Sequence, residues 1–277
     1  MTVDGRLTLL RDGLARRSLE GVLAANAYGD TKPMQVCAAQ ASVYDRPDPA
    51  AEQQTQMLFG EVFDVLTETG DFALGQGRRD GYVGFVPKAA LSDMGPHPTH
   101  WICVPQTFGF ASPDIKSAAS GPYSLNCLIT VTQTEGRFLF AQGLGWIVAE
   151  HVLPIGTFKT DFVATAEGLL GACYLWGGRM STGLDCSGLV QQALLSSGVA
   201  FPRDTDQQLA MGHAVEASGI QRGDLVFWRG HVGVMVDTTT LIHANAHHMM
   251  TAQEPLAEAI SRIAAGPTGD PVGYRRL

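Results

Sequence analysis

Residues 34–153 run twice through one pattern of short strands and turns, and no fold built on long helices accommodates it. "MQVCAAQASVY", "GEVFDVL", "FALGQ" and "GYVGFVP" are β-type runs broken by Gly, Asp and Pro. "WICVPQ", "NCLITVTQTEG", "RFLFAQG" and "GWIVAEHV" repeat the idea. Gly70, Asp71 and Phe72 with Gln76 answer to Gly136, Arg137 and Phe138 with Gln142, and Gly84-Phe85-Val86 answers to Gly145-Trp146-Ile147. The second copy is five residues shorter in that hairpin, so "RRDGY", ending in Tyr82, has no counterpart. Two small all-β barrels are predicted, at 33–93 and 99–155, with "MGPHPT" between them. The unduplicated hairpin marks the first barrel as carrying something extra.

The texture changes near Phe158. "FVATAEGLLGACYLWGG" reads as a helix running into a Gly-rich loop. In "LVQQALLSSG", Leu189, Val190, Ala193 and Leu194 recur at helical spacing, and Gly198 is a stop. "PRDTDQQLAMG" reads as a helix entered at Pro202–Asp204, and the strands "GDLVFW", "HVGVMV" and "TLIHA" follow. Helices first and an antiparallel sheet after them make an α+β domain over 156–277. Ahead of the barrels, residues 1–32 read as an amphipathic helical arm.

A formal charge of −8 argues against a nucleic-acid partner, which would need a basic face. The five cysteines (37, 103, 127, 173, 186) are odd in number and form no CxxC pair. Neither a disulfide framework nor a structural zinc site is suggested, which suits a reducing compartment. The first residues lack a continuous apolar core and a cleavage site, and no apolar run approaches the ~20 residues of a membrane span. The expected address is the cytoplasm, with no membrane partner.

Within "STGLDCSGLV", Asp185 is a natural N-cap and Cys186 falls on the first turn of the following helix. Unpaired N–H groups and the helix dipole favour a thiolate there. The alternative is a free cysteine packed as a small hydrophobe. A thiol nucleophile needs a base and a group that orients the base. His231 opens an alternating strand, with Gly233 leaving room on its face for something to approach. A hairpin centred on Asp237 would set His243 directly opposite His231. The longer register suggested by "DTTT" as the turn would separate them. His247 and His248 lack further ligands at a recognisable metal spacing.

"CYLWGGRMSTGLDCSGLVQ", "PRDT", "GDLVFW", "GHVGVMV" and "LIHA", in that order, resemble the NlpC/P60 cysteine peptidases over the final ~120 residues. The earlier zones resemble the bacterial SH3-like domains that accompany them. Two barrels before the peptidase resemble the branch that releases L-Ala-γ-D-Glu from free murein stem peptides. The resemblance implies a papain-like α+β fold, Cys186 as nucleophile, His231 as base and His243 as the orienting residue. Tyr174 fits the family tyrosine near the oxyanion; Cys173 departs from the proline often found before it. Asp185, Ser187, Thr205, Tyr82 and Glu61 are implied as contacts for a substrate amine. On that expectation, an acylated substrate would strand Asp185 without a partner, which makes the enzyme exo-acting. No metal or organic cofactor is implied, and the partner is a small murein peptide. Two alternatives stay open: an endopeptidase on intact wall, and a non-catalytic protein that binds wall peptides.

Overall fold

A computed structural model describes residues 3–277, which divide into two compact units, one up to Ile155 and the other Gly156–Leu277. In the first unit the N-terminal segment is not a helix. Leu10–Arg11, Leu14–Arg16 and Ala27–Gly29 form a three-stranded sheet, with a single 3-10 turn at Arg17–Leu19. Asp12 (φ 52°) and Gly13 (φ 80°) close its first hairpin. An Asp-Gly pair is the preferred two-residue turn where both positions need positive φ, and here that local signal outweighs the helical look of the flanking charges. Leu9 anchors the segment in a cluster with Phe72, Leu74, Val83 and Phe85 of the first barrel.

The first barrel is a seven-stranded sheet running from Lys32–Val36 to Leu91–Asp93. Its core gathers Val36, Val43, Met57, Phe63, Val65 and Val86. The second barrel, from His100–Ile102 to Val152–Pro154, has a three-stranded and a five-stranded sheet. The duplication recurs in the backbone bonds. Lys88 N–H donates to Asp71 O at 2.8 Å, and Ala149 N–H to Arg137 O at 2.9 Å. Cys37 to Ala90 and Cys103 to His151 form another such pair, each 2.9 Å. The barrels meet where Leu128 N–H donates to Phe59 O at 2.9 Å. A Cβ on Gly60 would lie 2.1 Å from Leu128 O, so only glycine fits that approach.

The second unit is a nine-stranded, mostly antiparallel sheet with four helices: α1 (Phe162–Glu167), α2 (Cys186–Ser196), α3 (Thr205–Leu209) and α4 (Leu256–Ala264). α2 packs on the strands His231–Met235 and Thr240–Asn245. Leu189, Val190, Ala193 and Leu194 are all buried, the leucines and valine contributing roughly 1.5–3 kcal/mol each. Asp185 caps the helix and Gly198 (φ 80°) follows its end. Of the helix predicted over "FVATAEGLLGACYLWGG", only α1 forms. Gly168 and Gly171 break it, and Cys173–Tyr174 joins the sheet. Sequence reading stopped at the strands and missed α4, whose Ala259 packs with Val226, Trp228, Met235 and Leu241.

Candidate active site

The Asp185 side chain ends the Gly-rich loop and starts α2. Its Oδ1 accepts from Gly188 N–H at 2.7 Å and its Oδ2 from Gly177 N–H at 2.9 Å. This cap fixes Cys186 on the first helical turn, where the residue is buried. The Cys186 sulfur accepts from the backbone N–H groups of Val232 and Ser187. Val232 directly follows His231, so the thiol lies beside the start of the histidine strand.

His231 Nε2 and His243 Nδ1 are 2.8 Å apart. The strands do not pair in the register that sets these histidines directly opposite. Val234 faces Ile242 and Met235 faces Leu241, a slip of two positions along one strand. Because side chains alternate with period two, such a slip keeps both rings on one face as diagonal neighbours, within reach of each other. The observed register is two longer than the one centred on Asp237, with Val236 N–H donating to Thr240 O, and it is not that of a "DTTT" turn. The room beside Gly233 is taken by the Leu241 side chain, 2.7 Å from where a Cβ would sit, so no ligand approaches there. Trp228 lies against the His231 ring, centroids 5.6 Å apart. His243, fully buried, places Nε2 2.7 Å from Glu254 Oε1, and Arg262 of α4 donates to the same oxygen.

The surroundings of Cys186 work against a thiolate at rest. Burial, then the Asp185 charge, pushes the Cys186 thiol up to about 12, against the Val232 and Ser187 N–H groups and Arg203. Burial, then His243 and Arg262, brings His231 down to about 3. A helix N-terminus contributes only ~0.3–2 kcal/mol to an anion, less than the several kcal/mol needed to bury one. Burial thus favours a neutral thiol beside a neutral imidazole, a pair in which the thiol needs a base to become nucleophilic. Iodoacetamide should accordingly alkylate Cys186 about tenfold faster per pH unit from pH 6 to 9, without a plateau, as read by peptide mass mapping. A plateau below pH 7 would instead reveal a preformed thiolate–imidazolium pair.

Asp185 also has an internal counter-ion that sequence reading missed. Arg203, almost wholly buried, donates to Oδ1 at 3.0 Å and to Oδ2 at 2.6 Å, and also to Ser187 Oγ at 2.8 Å. Ser187 Oγ donates in turn to Asp185 Oδ1 at 3.3 Å. Five donors crowd two carboxylate oxygens, so the strong acceptor positions are taken. The expectation that an acylated substrate would strand the Asp185 charge fails, because Arg203 pairs it whatever the substrate. The signal was present in "PRDT", where an arginine precedes a helix beside apolar "VAF". Thr205, two residues beyond Arg203, opens α3 and is half-buried. Tyr174 is half-buried, and burial, followed by the charges of Cys186 and Asp185, raises its hydroxyl. It stays a donor, which an oxyanion requires.

Tyr82 and Glu61 belong to the first unit. Tyr82 packs into the first barrel's core, and its N–H donates to Asp80 Oδ1 at 3.1 Å. Glu61 is buried, accepts from Leu58 N–H at 3.1 Å and pairs with Arg79 at 3.1 Å. Arg79, from the unduplicated hairpin, also donates to Asn126 O of the second barrel at 3.2 Å. One task of that hairpin is therefore to tie the two barrels together.

His243, His248 and Glu254 offer one potential ligand atom each within 4.8 Å of one another. Both nitrogens of His243 are engaged and the Arg262 cation occupies the carboxylate, so this donor set is not that of an open metal site. Among the described residues no helix is long and apolar enough to cross a membrane.

Residues 171–262 match the model of the NlpC/P60 family, and residues 43–91 match the bacterial dipeptidyl-peptidase SH3 domain. A γ-D-glutamyl-L-lysine dipeptidyl-peptidase of Bacillus subtilis is 29% identical over 214 residues, covering 69% of this chain and 72% of that protein. Dipeptidyl-peptidase 6 of Lysinibacillus sphaericus is 27% identical, covering 76% and 86%. A crystal structure of an NlpC/P60 family protein from Bacillus cereus superposes with a TM-score of 0.74 at 19% identity, over 88% of this chain and 99% of that one, which establishes the fold.

Proposed function

With residues 171–262 an NlpC/P60 cysteine-peptidase domain and residues 43–91 a bacterial dipeptidyl-peptidase SH3 domain, we propose that this peptidase removes L-Ala-γ-D-Glu from free murein stem peptides. The γ-D-Glu–diamino acid bond is the one cut, and the role is recycling of wall peptides. One observation carries the dipeptidyl part: the first barrel is of the kind that accompanies dipeptidyl-peptidases. Relatives named γ-D-glutamyl-L-lysine dipeptidyl-peptidases support a lysine-containing substrate.

In the proposed reaction the Cys186 sulfur attacks the γ-carbonyl carbon of D-Glu while His231 Nδ1 takes the thiol proton. Tyr174 and the N–H groups at the start of α2 donate to the oxyanion. His231 passes its proton to the leaving amine, and the L-Ala-γ-D-Glu thioester remains on Cys186. Water then attacks with His231 again as base, and the dipeptide leaves. His243 keeps the base ring in place from its other nitrogen.

The test compares L-Ala-γ-D-Glu-L-Lys with its N-acetyl form. A contact to the charged amine is worth ~1.5–3 kcal/mol, so kcat/KM should favour the free peptide by about 10–100-fold. Equal values would replace this reading with a wall endopeptidase.

A further inference from the structure

The histidine pair has a third and a fourth partner that the reaction scheme leaves unused. Glu254, on the strand beside His243, puts Oε1 2.7 Å from His243 Nε2, and Arg262 holds the same oxygen. An ionised carboxylate can only accept, so the proton of that bond is on His243 Nε2. A neutral His243 then has a bare Nδ1, and the 2.8 Å contact to His231 must be filled by a proton on His231 Nε2. A neutral His231 is left with its lone pair on Nδ1, its one remaining nitrogen. Burial keeps both rings well below the usual histidine range, down to about 3, so each carries a single proton.

We propose that Glu254, anchored by Arg262, is a positioning residue that sets the tautomer of both histidines, so that His231 presents an unprotonated Nδ1 to Cys186. The inference rests on Cys186 and His231 as nucleophile and base. Without the carboxylate, nothing distinguishes the two directions of the His231–His243 bond. Reversed, that bond puts a proton on His231 Nδ1, and the ring can no longer accept one from the thiol. During attack, the imidazolium formed at His231 is stabilised by the carboxylate through two successive hydrogen bonds.

Nitrogen-15 NMR of the full chain, with labelled histidine, reads the tautomers directly, His231 and His243 being assigned from His231→Ala and His243→Ala. In the wild type both rings should carry the proton on Nε2. Glu254→Ala should populate the Nδ1–H form of His231 and lower kcat by ~10–100-fold with KM unchanged. Glu254→Gln, whose amide oxygen can still accept from His243, should restore the Nε2–H form and most of the lost kcat. A wild-type His231 protonated on Nδ1 would overturn the proposal even if Glu254→Ala failed to fold. So would a Glu254→Ala enzyme with unchanged tautomers and unchanged kcat. A protein that left the stem peptide uncut would refute the substrate assignment instead, and the NMR spectrum would still report on the relay.

Discussion

Cys186→Ala is expected to lower kcat/KM on L-Ala-γ-D-Glu-L-Lys by roughly 10,000-fold or more, because no other group can form the thioester. Only a thiol is lost from a buried helix start whose cap, Asp185, is untouched, so stability should change by less than about 1 kcal/mol. His231→Ala should be comparably damaging, since a neutral thiol pushed up to about 12 cannot attack without a base. Initial rates and thermal melts on the same preparations separate lost chemistry from lost fold. An alanine variant with near-normal turnover would remove Cys186 from the mechanism.

The second large effect is on stability. Arg203 and Asp185 form a bidentate pair from which water is almost wholly excluded. Removing one partner of such a pair strands the other, at a cost of about 3–5 kcal/mol. Arg203→Met should therefore destabilise the second unit by that amount, with the α2 amides losing protection in hydrogen exchange. Adding Asp185→Asn removes the stranded charge and should recover a good part of the loss, because residues in one network are not additive. A cost below about 1 kcal/mol for Arg203→Met would mean that Asp185 does not depend on this counter-ion. Activity should fall as well, since the same arginine holds Ser187, the residue after the nucleophile.

What the sequence reveals and what it hides follows from the range of the interactions. α2 was legible because its cap and its apolar stripe are local: Asp185, then Leu189, Val190, Ala193 and Leu194 within one helix. The barrels were legible for a related reason, since the repeat exposes the same turns twice, at Gly70 and at Gly136 (both φ 58°). The shared face of His231 and His243 survived a wrong register because a two-residue slip preserves the face. The partners of the charged groups were not legible. Arg203, Glu254 and Arg262 are brought to Asp185 and His243 by tertiary packing, and no spacing rule announces them. The burial of Cys186, which opposes the local effect of the helix end, is not legible either, because elements distant in sequence supply it. The N-terminal segment is a different case: its Asp12-Gly13 turn is a local signal, set among charges that imitate an amphipathic helix.

Mass analysis of the products from L-Ala-γ-D-Glu-L-Lys, with wild type and Cys186→Ala side by side, tests the central claim most directly. The wild type should yield L-Ala-γ-D-Glu and free lysine, and an acid quench during turnover should trap enzyme carrying the dipeptidyl acyl group on Cys186. The variant should leave the tripeptide intact. Release of alanine alone, an uncut tripeptide with the wild type, or the same products from the variant would contradict the account.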